Sequence, residues 1–304
     1  ETGAALVASS SVSMVSFTGS SLTGSKIMEA SAPKLSQVAL ELGGKSAMVI
    51  FEDTDIERAV EATIKGCLTN GGQICTAHTR LIVQEGIKDN LLKKLKNVLE
   101  KIPYCGDPIT ERERGDRAWE AGTTDVLQPI VSASQHKKIM DFLNEAKAAG
   151  IKIYTGGRVP DPADLNNSNG YFIQPTILTD VPRDSDAWQK EIFGPVLSVR
   201  SFSSEAEAIT EANSTAFGLA STVMSSDPAK AMRVANRIRA GAVFATSTGE
   251  GLLAEHPAVS RGGFGCSGVG RELGISGLHE YTELKSVNYS GFSIEEAKKI
   301  SNHG

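Results

Sequence analysis

The sequence lacks the features that mark several large classes of protein. No apolar run approaches the roughly 18 residues of a membrane-spanning helix. The four cysteines contain no Cys-x-x-Cys pair and are too few, in 304 residues, for a disulfide-stabilised scaffold. The five histidines are scattered without metal-ligand spacing, so we expect no metal site. A net charge of −5, with no basic cluster, argues against nucleic acid or an anionic membrane as the main partner.

What remains is typical of a globular chain with one large or two smaller domains, since 40% of the residues are hydrophobic and 22% are charged. Reduced thiols in such a chain predict a cytoplasmic or similarly reducing compartment. The first residue is Glu1 and the sequence starts in mid-pattern, which we interpret as a fragment or a processed chain. A plastid or a peroxisome therefore stays open, because a targeting segment could lie upstream.

Hydrophobic patterning predicts an α/β fold with a mostly parallel sheet, because segments of helical periodicity alternate with short apolar runs. We predict strands at residues 14–17, 38–40, 47–51, 81–83, 151–154, 172–178, 196–202, 220–224 and 242–245. We predict helices from Ser25, from the N-cap Asp55 to about residue 70, and at residues 91–102, 134–149, 204–213 and 227–240. The composition of residues 107–128 and 160–170 is typical of loops.

Two groups suited to thioester chemistry each lie in a glycine-bearing turn. Cys75 follows Gly71-Gly72 between a predicted helix and a predicted strand, and Glu41 opens the sequence Glu-Leu-Gly-Gly-Lys-Ser. A thiolate is a strong nucleophile, and a carboxylate can deprotonate a thiol or a water molecule. A structural cysteine and a surface or capping glutamate are the alternatives. His78 also allows a Cys/His hydrolase, although no orienting motif accompanies it, whereas Cys67 lies on an apolar helix face and is interpreted as packing.

Three further segments have the layout of a nucleotide pocket. Residues 18–24 form a glycine-bearing turn between a strand and a helix, where helix amides can meet a pyrophosphate, although a plain βα turn is the simpler interpretation. Glu191 and Phe193 precede a tight turn and suit a ribose hydroxyl and a flat ring, with a hydrophobic turn anchor as the alternative. Residues 267–274 are glycine-rich and could shape a pocket wall or a loop.

In order and spacing, five segments resemble the motifs of the NAD(P)-dependent aldehyde dehydrogenases: residues 17–20, 41–46, 70–75, 191–197 and 267–274. The longer sequence Phe-Thr-Gly-Ser-Ser-Leu-Thr-Gly-Ser-Lys-Ile-Met, together with Gly-Gln-Ile-Cys, looks most like the plant-type betaine aldehyde and aminoaldehyde dehydrogenases. The resemblance implies an aldehyde dehydrogenase-like catalytic domain with a parallel sheet, plus the C-terminal remnant of a Rossmann-like cofactor domain.

The resemblance also implies domain boundaries. Residues 1–42 would be the tail of the cofactor-binding domain, and residues 43–245 would be the catalytic domain. Residues 246–304 would return to the cofactor domain and carry an oligomerisation segment.

The roles implied by the resemblance are those of a thioester mechanism. Cys75 would attack an aldehyde, hydride would pass to NAD or NADP, and Glu41 would activate the water that hydrolyses the resulting thioester. The backbone N–H of Cys75 would supply half of an oxyanion hole. The cofactor would contact Gly19, Ser20, Gly24, Gly43, Glu191 and Phe193.

The sequence also departs from the family pattern. The first strands of the cofactor domain, a ribose-binding lysine and an oxyanion-hole asparagine would lie upstream of Glu1, so we expect this chain alone to bind NAD poorly and to oxidise aldehydes little. Thr246 stands where the family usually has an asparagine. Residues 247–261 are longer than usual and lack an aromatic residue of the trimethylammonium pocket, and residues 112–128 look like an insertion. A general aldehyde dehydrogenase is therefore the broader expectation.

Two alternatives have different consequences. A truncated, inactive relative would act through oligomer contacts, as a structural protein. A coenzyme A-acylating relative would pass the thioester to a thiol, which the water-activating Glu41 argues against. Residues 281–289 alternate in polarity and correspond to the strand that joins subunits in the family, so we expect a homodimer or a homotetramer. The reactivity of Cys75 would separate an enzyme from a scaffold.

Overall fold

The computed structural model describes residues 1–106, 124, 126–165, 170–250, 256–288, 290–291, 293–295 and 298. Its α-helices are α1 (Thr2–Ala8), α2 (Ser21–Ser31), α3 (Ile56–Leu68), α4 (Glu85–Leu99), α5 (Ala133–Ala148), α6 (Asp186–Gln189), α7 (Glu205–Ala212), α8 (Pro228–Ala235) and α9 (Gly274–His279). Its strands are β1 (Met14–Thr18), β2 (Gln37–Glu41), β3 (Ala47–Ile50), β4 (Arg80–Gln84), β5 (Lys152–Thr155), β6 (Thr176–Thr179), β7 (Val196–Phe202), β8 (Ala220–Met224), β9 (Ala242–Thr246) and β10 (Gly268–Val269). Within these residues, every helix is too short or too polar to span a bilayer.

Seven strands form the larger sheet, in the order β5-β6-β7-β4-β3-β8-β9. Every neighbouring pair is parallel except β5 and β6, which run antiparallel. The central strands are buried on both faces, which explains why they read as continuous apolar runs such as Ala47–Ile50. The predicted α/β fold with a mostly parallel sheet is confirmed.

Alternate residues along the central strands face two separate apolar cores, because successive side chains of a strand point to opposite faces. One core packs α5, α7 and α8 against the sheet and contains Trp188 and Phe202. The other core packs α3 and α4 against the sheet and contains Leu81 and Cys67. Burial raises the pKa of the Cys67 thiol to about 12, so this cysteine is a packing residue, as predicted.

Capping side chains set where the helices begin. Asp55 caps the amino end of α3, as predicted. The predicted start of the preceding helix at Ser25 is wrong, because the helix begins at Ser21. The Ser20 hydroxyl accepts a hydrogen bond from the N–H of Thr23, and serine is among the strongest N-cap residues.

A second, smaller sheet has the order β1-β2-β10. Strand β1 is parallel to β2, and β10 is antiparallel to it, with Gly268 opposite Glu41. Part of the glycine-rich segment 267–274 is therefore an edge strand, which is neither of the two possibilities that the sequence left open. A small apolar core under this sheet is formed by Val7, Ile27, Leu40 and Leu42.

Other differences from the predicted elements are local. The strand predicted at residues 172–178 is limited to β6, and Tyr171 forms only an isolated bridge with Ile130. The helix predicted at residues 227–240 ends at Ala235. The predicted loop at residues 107–128 and the predicted insertion at residues 112–128 lie largely outside the described residues. Parts of residues 160–170, 247–261 and 281–289 lie outside them as well.

Candidate active site

Three loops meet where β3, β4 and β7 begin. These strands are neighbours in the parallel part of the sheet, so the loops that enter them lie at the same edge. Residues 42–46 lead into β3, residues 73–79 lead into β4, and residues 190–195 lead into β7. The sheet topology thus brings the Glu-Leu-Gly-Gly, Cys75 and Glu191 motifs together.

The first of these loops contacts the other two through a pair of glycines. A Cβ on Gly43 would lie 2.3 Å from Oε2 of Glu191, and a Cβ on Gly44 would lie 2.3 Å from the carbonyl oxygen of Cys75. The N–H of Gly44 also donates a hydrogen bond to Oε1 of Glu191 at 3.0 Å. A larger residue would require a shift at either position, so the two glycines allow Glu191 and the cysteine loop to lie directly against this first loop.

Consecutive left-handed residues turn the chain just before Cys75. Asn70, Gly71 and Gly72 have φ angles of 54°, 64° and 74°. Glycine adopts this conformation without a steric penalty, and asparagine is one of the few other residues that tolerate it. A Cβ on Gly72 would lie 2.3 Å from the carbonyl oxygen of Gly194, so the turn packs directly on the third loop.

The thiol of Cys75 is partly buried among charged groups of both signs. Burial is the main cause that raises its pKa, and the carboxylates of Glu191 and Glu41 act in the same direction. The guanidinium of Arg261 and the N–H of Thr76 act in the opposite direction, and the net pKa is raised. The thiolate is the reactive form of cysteine. Arg261 and the N–H of Thr76, which lower the pKa, are therefore the groups that favour nucleophilic attack.

Arg261 connects the thiol to the carboxylate. Its Nη2 donates a hydrogen bond to Sγ of Cys75 at 3.5 Å, and its Nε lies 3.5 Å from Oε2 of Glu41. The side chain of Glu41 is 3% exposed and that of Arg261 is 25% exposed. Sequence analysis missed Arg261, because a single arginine 186 residues after Cys75 gives no local signal.

The smaller sheet positions Glu41 and the turn after β1. Glu41 ends β2, and its carbonyl oxygen accepts a hydrogen bond from the N–H of Gly19 at 2.9 Å. Ser20 caps α2 beside this contact. Gly24 lies in the first turn of α2 and packs on Leu42, since a Cβ there would lie 2.7 Å from that side chain. Gly24 therefore serves the packing of α2 against the following loop.

A cleft of about 700 Å³ lies against the three loops and the turn after β1. This volume is within the usual range of ligand pockets. The predicted site residues that line it are Gly19, Ser20, Gly43, Cys75, Glu191 and Phe193. Neither Glu41 nor Gly24 is among its lining residues in the described part of the chain.

Helix α5 supplies a wall of the cleft that sequence analysis missed. Gln135, Lys138 and Phe142 line the cleft, and their spacing of three and four residues is the signal that could have identified them. Nε2 of Gln135 donates hydrogen bonds to the carbonyl oxygens of Ile192 and Phe193 at 3.1 and 3.2 Å. Phe193 has a φ of 56°, which is rare for a bulky residue, and these bonds hold its turn in place.

His78 belongs to the core of the sheet. Its Nε2 shares a hydrogen bond with Oγ1 of Thr222 at 2.9 Å, and burial lowers the pKa of the ring to about 4. This environment supports a packing role and gives no support to a Cys/His hydrolase. Over the described residues, no cluster of three His, Cys, Asp or Glu side chains could hold a metal ion.

Comparison with known proteins gives the family. The model of the aldehyde dehydrogenase family matches residues 1–287. Among solved structures, the chain is similar to betaine aldehyde dehydrogenase from Staphylococcus aureus in complex with NAD+, with a TM-score of 0.82 and 37% identity over 92% of this chain and 52% of the other. It is also similar to the NAD+ complex of aldehyde dehydrogenase from Bacillus cereus, with a TM-score of 0.82 and 34% identity over 94% of this chain and 54% of the other. The chain belongs to the aldehyde dehydrogenase family, and the predicted family and fold are confirmed.

Curated relatives have more specific names. The chain is 42% identical over 287 residues to aminoaldehyde dehydrogenase 1, peroxisomal, of Pisum sativum. The matched region covers 94% of this chain and 53% of the relative. It is 41% identical over 291 residues to betaine aldehyde dehydrogenase, chloroplastic, of Beta vulgaris, with the same two coverages. The chain therefore spans about half the length of the curated relatives it matches.

Proposed function

We propose that this chain carries the catalytic cysteine of an NAD(P)-dependent aldehyde dehydrogenase, which oxidises an aldehyde to a carboxylic acid. One observation carries the proposal: Cys75 lines the same cleft as Glu191 and Phe193, while Arg261 joins its thiol to Glu41. The arrangement contains a nucleophile, a carboxylate base and a pocket for a flat, polar ligand. These are the groups that oxidation through a thioester requires.

The residues of the cleft fit a nicotinamide dinucleotide. The amino end of the 11-residue helix α2, capped by Ser20, offers backbone N–H groups to a phosphate. Lys138 adds a cation to the cleft, Glu191 adds a carboxylate that can accept from ribose hydroxyls, and Phe193 adds an aromatic ring. When bound, the nicotinamide supplies the acceptor of the hydride that leaves the substrate carbon.

In the proposed mechanism, the thiolate of Cys75 forms a bond to the carbonyl carbon of the aldehyde. The carbonyl π bond breaks to leave a negatively charged oxygen, and this tetrahedral adduct would become a thioester on Cys75 as its hydride leaves for the bound nicotinamide. Arg261 and the N–H of Thr76 favour the thiolate before attack, because both lower the pKa of the thiol. The N–H of Cys75 is the proposed donor to the oxygen that becomes negative.

Glu41 completes the proposed cycle by taking a proton from water. The resulting hydroxide adds to the thioester carbon, and the C–S bond breaks to release the carboxylic acid and the thiolate. Because Glu41 is almost fully buried, bulk water screens its charge only weakly, and Arg261 contacts both this carboxylate and the thiol of Cys75.

Mass spectrometry of Cys75 and an NADH assay together test this proposal. With NAD+ and an aldehyde, we expect an acyl adduct on Cys75, weak turnover by this chain, and no adduct in Cys75→Ala. Glu41→Gln should release one equivalent of NADH and keep the adduct, because hydrolysis is blocked. Cys266→Ala removes an exposed thiol outside the cleft and should behave like the original chain. The absence of an NAD-dependent adduct with aldehydes of several lengths would refute the proposal and favour the structural alternative.

We also propose a substrate class, an oligomeric state and a compartment for this protein. The names of the relatives make betaine aldehyde and aminoaldehydes the first substrates to compare with simple aliphatic aldehydes.

We propose a homodimer or homotetramer, because Leu284 and Val287 in the segment 281–289 are exposed apolar residues. Light scattering should then give a mass of two or four times 32.1 kDa, and a mass of 32.1 kDa would contradict the proposal. All four cysteines are described and none forms a disulfide, which supports a reducing compartment.

A further inference from the structure

We propose that Arg261 sets the charge preference of this active site, so that Cys75 reacts with aldehydes carrying a negative charge in preference to cationic ones. The inference rests on the proposed function of Cys75 and names the substrate class of the same site. It separates this chain from relatives named for betaine aldehyde, which is a trimethylammonium cation, and for aminoaldehydes, whose amines are protonated at neutral pH.

The guanidinium of Arg261 lies beside the sulfur of Cys75. Nε of Arg261 lies 3.5 Å from Oε2 of Glu41, and its Nη2 donates to the sulfur of Cys75 at 3.5 Å. Because the guanidinium group is planar and contacts two side chains at once, it has little freedom to rotate away from either of them. Any aldehyde carbon that bonds to this sulfur therefore brings its substituents within a few ångströms of a fixed positive charge.

Charged side chains of both signs surround the sulfur of Cys75. Among the described residues, the charged side chains that act on the Cys75 thiol are Arg261, Glu191 and Glu41. The effect of Arg261 is the largest of the three, and it opposes both carboxylates. Glu191 belongs to the wall of the proposed cofactor cleft, where burial raises its pKa and the N–H of Gly44 lowers it. Glu41 is the carboxylate that faces the guanidinium itself.

A charged group on an aldehyde bound to Cys75 would lie close to the guanidinium of Arg261. A charged group separated from an aldehyde carbon by a few bonds lies well inside the screening length of about 8–10 Å in physiological salt. Like charges at such a separation repel and opposite charges attract, most strongly in a partly buried site. The side chain of Arg261 is 25% exposed, so its field is only partly screened by solvent.

Charged thiol reagents test this proposal without NAD and without turnover. The probes are methanethiosulfonates of similar size, one with an anionic sulfonatoethyl group and one with a cationic trimethylammonioethyl group. The thiolate attacks the sulfenyl sulfur, a disulfide forms and methanesulfinate leaves. Mass spectrometry of the peptides gives the rate at Cys75 and, in the same sample, the rate at the exposed Cys266 as an internal reference.

We expect the anionic reagent to be favoured at Cys75 over Cys266, and Arg261→Met to lower this preference about tenfold. Arg261→Lys should retain most of it, because the charge remains. Arg271→Met is a matched control: it also removes one arginine, but this guanidinium stacks on Phe264 at 5.2 Å. High salt should reduce the preference in the original chain.

Three results would overturn the proposal. They are an equal charge preference at Cys75 and Cys266 in the original chain, an unchanged preference in Arg261→Met, or the same loss in Arg261→Lys. The first requires no variant, so misfolding of a substituted chain leaves the proposal testable. A shifted preference without any aldehyde-dependent adduct would count against the proposed function alone. Oxidation of cationic aldehydes as fast as anionic ones by the active enzyme would overturn the substrate class.

Discussion

Replacing Gly44 by alanine tests how strictly backbone contact holds the cysteine loop. A Cβ at this position would lie 2.3 Å from the carbonyl oxygen of Cys75 and 3.3 Å from Cβ of Leu219. The first contact is with backbone, which cannot move away as the end of a flexible side chain can. Alanine therefore forces either the Cys75 carbonyl or the loop at residues 42–46 to shift.

The size of the shift follows from this distance. Real Cβ atoms essentially never approach another heavy atom closer than 3.0 Å, so a contact of 2.3 Å must open by about 0.7 Å or more. Overpacking of this kind costs about 1–3 kcal/mol of stability. Misplacing a reacting group by about 1 Å can cost roughly 100-fold in rate. We therefore expect Gly44→Ala to lose about 100-fold in the formation of the Cys75 adduct while the chain still folds.

The assay combines urea unfolding with the rate of adduct formation on Cys75. Gly3→Ala is the matched control, because Gly3 lies in α1 and a Cβ added there would have no other atom within 4 Å. That change should leave the rate unaltered and stabilise the chain by about 0.4–1 kcal/mol. If Gly44→Ala reacts within twofold of the original chain, the glycine does not hold the nucleophile, and the reasoning is wrong.

Two further predictions concern buried polar side chains. Arg80 is 2% exposed and donates to the carbonyl oxygens of Lys45, Glu211 and Ala212 at 2.7, 2.9 and 2.7 Å. Arg80→Met should therefore lower the free energy of unfolding by about 3–5 kcal/mol in urea, and a loss below 1 kcal/mol would contradict this. Burial lowers the pKa of His78 from 6.5 to about 4, so the unfolded chain binds more protons between these values. Stability should fall as pH drops from 6.5 to 4, by up to about 1.4 kcal/mol per pH unit, and His78→Gln should remove this part of the slope. Equal slopes in both proteins would count against it.

Local signals were sufficient for much of the fold. The apolar runs at residues 47–51 and 196–202 indicate strands buried on both faces, and both are central strands of the sheet. Asp55 gives the start of α3, because an N-cap acts on the N–H groups two and three residues ahead. Where a local signal was misjudged, as at Ser20, the start of the helix was predicted too late.

The motifs of the site were also visible in the sequence, although the contacts between them were not. Glycines before and after a functional residue indicate that the backbone turns sharply or approaches another chain segment. They do not say which segment is approached. Only the fold shows that Gly44 meets the carbonyl of Cys75 and that Gly72 meets that of Gly194.

By itself, the sequence determined the alternation of helices and strands, the family, and the Cys75 and Glu41 motifs, because each depends on residues close together along the chain. The tertiary structure alone decided that the loops before three neighbouring strands share one edge, that α5 walls the cleft, and that Arg261 lies between the thiol and the carboxylate. These contacts join residues that are far apart in sequence. A charge placed by such a contact leaves no periodicity or spacing to detect, so its effect on Cys75 becomes evident only once the chain is folded.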